Sequence, residues 1–200
     1  MEIRGIKQGV IDMAEKMCAM VGLVEKGFIE HKPEFLSGAM KIEGEINDME
    51  KALTKNVLEL SKNVKGEAAR KELIALQQAV ETLERMGDEA ESLIERIEIK
   101  NAEHLLFSEL GVRQFNETYG TMRKSVEMMR DFLKKTDPAI RQQIIDNGFR
   151  VKELVERYRA EHADRLVRGI CTPMAANMYF DMLDFTGNIA RNASNVVKLF

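Results

Sequence analysis

LERMGD at Leu83–Asp88 returns 100 positions later as LDFTGN at Leu183–Asn188. Leucine and glycine recur in place, at 83 and 183 and at 87 and 187, and the acids Glu84 and Asp88 come back as Asp184 and Asn188. FIEHKP ending at Pro33 likewise lines up with LKKTDP ending at Pro138, 105 residues on. In each stretch an apolar helical pattern precedes the proline, a second follows it, and a third carries the Leu/acid/Gly element. The 200-residue chain therefore reads as two divergent copies of one three-helix unit, residues 1–105 and 106–200.

The helical period supports this throughout. Val10, Met13, Met17, Val21, Val24 and Phe28 recur at steps of three and four, which predicts a first helix from near Ile6 to Phe28. Lys32-Pro33 ends it, because the residue before proline is pushed out of the α region. A second helix starts near Glu34 and stops at Lys65-Gly66. A third runs from about Glu67 towards Asn101, with Leu73, Leu76, Val80, Leu83, Gly87, Ala90, Ile94 and Ile97 facing inwards. His104–Gly111 connects the copies, although LLFSEL could extend the third helix. In copy two a fourth helix ends before Pro138, and a fifth reaches Val167 and is capped by Gly169. A sixth opens at Thr172-Pro173, with Thr as N-cap and Pro at the first helical position. No alternating strand pattern occurs, so the fold is expected to be all-α: two tandem three-helix bundles.

Composition excludes several classes. With 44% hydrophobic and 32% charged residues the chain is globular rather than disordered. Net charge −3 leaves no basic footprint for nucleic acid. Cys18 and Cys171 match no zinc or CxxC spacing and no disulfide framework, which suits a reducing cytoplasm. Met17–Val24 is the longest apolar run, too short to span a bilayer, so no membrane insertion is expected. Phosphate-binding loops, nucleophile elbows and Glu-x-x-His pairs are missing, which argues against an enzyme and against a ferritin-like di-iron bundle. His162 aligns with Val57 and is expected in the core.

The third helix carries the most specific chemistry. Glu81, Glu84, Asp88, Glu91, Glu95 and Glu98 follow steps of 3, 4, 3, 4 and 3, and so lie along one face beside the apolar seam. The second helix adds Glu43 and Asn47 at i, i+4, with Glu50 one turn on. If these helices pack side by side, Glu43/Asn47 and Glu84/Asp88 converge on one cation-sized space. Oxygen ligands suit Mg or Ca, and carboxylates also accept Mn or Fe. The plainer alternative is a solvated acidic face answered by scattered Lys and Arg.

These residues resemble the PhoU family of phosphate-uptake regulators, especially PhoU-like domains that follow sodium–phosphate cotransporter modules. The resemblance is carried by KIEGEINDMEKAL at Lys41–Leu53, LERMGDEAESLIE at Leu83–Glu95, and EHADRLVRGICTP at Glu161–Pro173 leading into MLDFTGNIARNASNVV. It implies tandem three-helix bundles and a cytoplasmic regulator acting by contact with a membrane phosphate transporter or sensor protein. It implies no organic cofactor, but a divalent or ferric ion held by paired acids on the last two helices of each copy. Carried over by position, the ligands are Glu43, Asn47, Glu84 and Asp88 in copy one, and Asp184 with Asn188 in copy two. The alternative is a structural or adaptor bundle with neither metal nor phosphate role.

Copy two departs from the pattern. The positions 105 residues beyond Glu43 and Asn47 are Gly148 and Lys152. Lys152 is expected to place its ammonium near Asp184 and satisfy it without a metal. The sixth helix also has a second apolar seam, Met178, Met182, Phe185, Ile189, Ala193, Val196 and Phe200, where the third helix is largely polar. A helix apolar on two sides is buried on two sides, between the bundles or against a second chain in a homodimer.

Overall fold

The computed structural model describes residues 2–200, and among them it contains six helices and no strand. They are α1 (Ile3–Glu30), α2 (Pro33–Ser61), α3 (Glu67–Ala102), α4 (Glu109–Lys134), α5 (Pro138–Val167) and α6 (Pro173–Lys198). None is long and apolar enough to cross a membrane.

The boundaries follow local chemistry. α1 ends where His31 adopts a left-handed φ of 55°, and Pro33 then opens α2 from an extended Lys32. α2 stops at Ser61, one turn before the expected Lys65-Gly66. Gly66 (φ 92°) instead supplies the turn into α3. LLFSEL does not prolong α3: Leu105–Phe107 leave the helix, and Ser108 caps α4 by accepting the Gly111 N–H at 3.1 Å. Asp137 caps α5 through Ala139 N–H, and Thr172 caps α6 through Ala175 N–H. Gly169 takes φ 71° in the turn between them.

α1, α2 and α3 pack on one another, as do α4, α5 and α6. The two sets then meet through α1 against α4 and α3 against α6, so that one hydrophobic core runs through all six helices. Phe28 meets Phe115 with ring centroids 4.6 Å apart, and the buried Tyr119 hydroxyl donates to the Val21 carbonyl at 2.8 Å. α3 and α6 run antiparallel: Arg96 pairs with Asp181 at 2.9 Å, while Asn188 donates to Glu89 at 2.9 Å. Met182, Ile189, Ala193 and Val196 of the second seam have no exposed surface. The seam is therefore covered inside the chain, and this covering does not call on a second copy.

His162 is in the core, as expected, 2% exposed and stacked on Tyr179 at 4.2 Å. Arg165 Nη2 lies 2.9 Å from its Nδ1 and also donates to Gln114 Oε1 at 3.0 Å. The Cys171 thiol approaches Nε2 at 3.6 Å. The C-terminal end of α5 and the turn into α6 are thus held by a buried polar network as well as by apolar packing.

Candidate metal centre

α2 and α3 pack closely enough that a Cβ on Gly87 would come within 3.7 Å of Ile46. That approach brings the acids of both helices together. Carboxylate oxygens of Glu43, Asp88 and Glu91 all lie within 4.8 Å of one another. Glu43 is 7% exposed, and its carboxylate accepts a hydrogen bond from Asn47 Nδ2. Burial, and then the charges of Glu91 and Asp88, push the Glu43 carboxyl above its usual value. Glu84 is raised in the same way, by burial first and then by Asp88 and Glu50. Among the described residues no Lys or Arg forms an ion pair with Glu43, Glu50, Glu84, Asp88 or Glu91. Lys51 and Arg85 lie near enough to offset part of the charge on Glu43 and Glu84, but neither closes an ion pair, and a hard divalent or trivalent ion would relieve the remaining repulsion among the five carboxylates.

Each anticipated residue has a definite place. Glu43 and Asp88 belong to the tight triad, whereas Glu84 stands one turn along, facing Glu50. Asn47 acts as a hydrogen-bond donor to Glu43. Its carbonyl oxygen is the atom left for a cation. The third member of the triad, Glu91, was readable as part of the acidic stripe. Only the packing of α2 against α3 distinguishes it from Glu95 or Glu98.

Copy two differs from expectation. Asp184 pairs with Arg159, which also lies over the Phe180 ring at 4.9 Å. Lys152 points away to solvent and bridges Glu156 at 3.7 Å. The reason is helix register. Gly187 approaches Val155 as Gly87 approaches Ile46, so the structural counterpart of Ile46 lies 109 residues on rather than 105. One extra helical turn places Lys152 at the position of Glu43 and Arg159 at that of Glu50. Arg191 stands where copy one has Glu91. Asn188 turns to α3 and Glu89, away from Asp184. Copy two thus answers its remaining acid with arginine, and Asp184 and Asn188 do not converge as Glu43, Asp88 and Glu91 do.

A PhoU domain family model matches residues 10–97, which is nearly the whole of α1–α3. The first three helices are thus similar in sequence to the PhoU domain. Solved structures extend the likeness to the full fold. PhoU from Pseudomonas aeruginosa superposes with a TM-score of 0.91 at 17% identity, over 98% of this chain and 93% of that one. The phosphate transport system regulatory protein PhoU from Streptococcus pneumoniae superposes with a TM-score of 0.86 at 12% identity, over 99% and 92%. No curated protein sequence matches the chain. The PhoU resemblance read in the sequence and the all-α tandem-bundle fold both hold. It is α1–α3 that retain the family's sequence pattern.

Proposed function

We propose that this protein regulates phosphate uptake or phosphate signalling from the cytoplasm, by contact with a membrane phosphate transporter or an associated sensor rather than by catalysis. The observation that carries the reading is one end of the molecule. His31 lies 3.3 Å from Asn101, Phe107 packs edge-on to Tyr179, and Cys171 reaches His162, so the turn after α1, the connector after α3 and the turn after α5 gather there. Among the described residues, seven of the ten exposed large apolar side chains lie at this end. Leu106 and Val167 are each 86% exposed, with Leu110, Ile170 and Met174 beside them. A cluster of that kind is characteristic of a protein-binding surface.

Capture from solubilised membranes, with and without phosphate, tests this. Leu106→Ser with Ile170→Ser should lower capture of the transporter or sensor by about tenfold, a usual loss when central apolar anchors are removed. Capture equal to wild type would remove the end from consideration. Failure of the wild type to capture either partner would favour the adaptor bundle instead.

The acidic cluster supports a metal role within the same function. Glu43, Asp88 and Glu91, with Glu84 and the Asn47 carbonyl at the margin, would hold a divalent or ferric ion that ties α2 to α3 and relieves their mutual repulsion. Asp184 and Asn188 are the counterparts in copy two, where arginine already supplies the positive charge. Calorimetric titration with Mg, Mn, Zn and ferrous iron should show binding by wild type. Asp88→Asn with Glu91→Gln should abolish it, and Glu84→Ala should weaken it. Equal and negligible binding by all three proteins would sink the idea.

A further inference from the structure

The counterpart of the acidic cluster in copy two is a cleft of opposite sign. It lies between α5 and α6, has a volume of about 420 Å³, and runs from Ile145 beside Lys198 to Arg159 beside Asp184. Its floor and walls are apolar, made by Ile145, Val155 and Phe149. The Phe149 ring is 62% exposed there although it sits on a folded helix. Gly187 contributes no side chain to the space. At the rim, Lys152 and Arg159 are engaged by Glu156 and Asp184. Arg191 and Lys198, two turns apart on α6, form no ion pair among the described residues. They are the cations left for a ligand.

We propose that this cleft binds an amphiphilic anion: a single extended alkyl chain laid along the apolar floor, with a carboxylate or phosphate head held by Arg191 and Lys198. Two observations select that class. The charge reversal from Glu43 and Glu91 to Lys152 and Arg191 turns a cation-attracting site into an anion-attracting one. The dimensions then select the tail. The run of α5 from Ile145 to Arg159 spans about 20 Å at ~1.5 Å per residue, an elongated apolar floor that suits an extended alkyl chain. A mostly apolar cleft with a few charged groups at one edge is the usual form of a small-molecule site.

Titration calorimetry with dodecyl phosphate, dodecanoate and dodecyltrimethylammonium, each below its micellar concentration, tests the proposal. Both anions should bind one to one, and the cation at least about tenfold more weakly. Arg191→Glu with Lys198→Glu, both on exposed side chains, should weaken anion binding about tenfold or more, as the loss of charge-assisted hydrogen bonds does. Phe149→Glu, at an exposed ring of the cleft, should also weaken it by placing a carboxylate beside the apolar floor. Leu106→Ser with Ile170→Ser should leave it unchanged, which separates this cleft from the apolar end. Comparable binding of the cation, or anion binding indifferent to both cleft variants, would overturn the proposal. So would binding of an acidic amphipathic peptide in the cleft where neither alkyl anion binds. A preference between the two alkyl anions identifies the head group.

Discussion

Ile189→Lys, alone or with Phe185→Glu, should leave the chain largely unfolded in dilute buffer. Ile189 follows the residue that reaches Glu89 of α3 and has no exposed surface. The substitution removes about 1.5–3 kcal/mol of apolar burial. It also forces an ammonium without a partner into a closed interface, a further few kcal/mol. Together these approach the ~5–15 kcal/mol that holds a typical domain folded. Far-UV circular dichroism and urea denaturation read the outcome directly. A variant that remains a folded monomer by light scattering, with wild-type stability, would mean that α6 does not join the two units through this seam.

The second large effect is a loss of stability on mild acidification, centred on His162. Burial, reinforced by the Arg165 guanidinium, pushes the imidazole down to about 4 from an ordinary value of 6.5. Between those values the unfolded chain takes up a proton that the folded chain refuses. The neutral ring's contribution is thus complete above pH 6.5, declines as pH falls towards about 4, and amounts to about 3 kcal/mol in all. Glu15 and Glu45, held below the usual carboxylate value mainly by hydrogen bonds from Lys134 and Lys16, act only below about pH 4.5, so the windows separate. Glu43 and Glu84 have the opposite sign, because their raised values make protonation in acid a relief. Urea midpoints measured between pH 7.5 and 4.5 should fall for wild type and much less for His162→Phe. Parallel slopes for the two proteins would refute the assignment.

Much of this molecule was open to inspection in the sequence because helical amphipathicity is a local property. Met13, Met17 and Val21 recur at the spacing that burial requires, and all three have no exposed surface. Thr172, Pro173 and Gly169 announce the turn into α6 through the chemistry of helix ends. The candidate site was half legible for the same reason. Its stripe on α3 follows from periodicity, but the choice of Glu91 over Glu95 depends on how α2 leans against α3. Lys152 shows the limit most clearly. Aligning prolines sets the start of α5, whereas its height against α6 is set by the close approach of Gly187 to Val155. A displacement of one turn changes which cation meets Asp184. Similarly, the second seam of α6 declared itself buried, but a single sequence does not distinguish a neighbour in the same chain from one in another.

The connector between α3 and α4 has a consequence for how the protein could be divided. Residues 103–108 lie outside the helices, and the joins that hold the units together, α1 on α4 and α3 on α6, do not depend on them. A protease cut there would sever the backbone while leaving the shared core intact. The two fragments should remain together as a non-covalent pair, and two separately expressed halves should reassemble into it. What had been an intrinsic melting temperature would then rise with protein concentration, as it does for any complementing pair of chains.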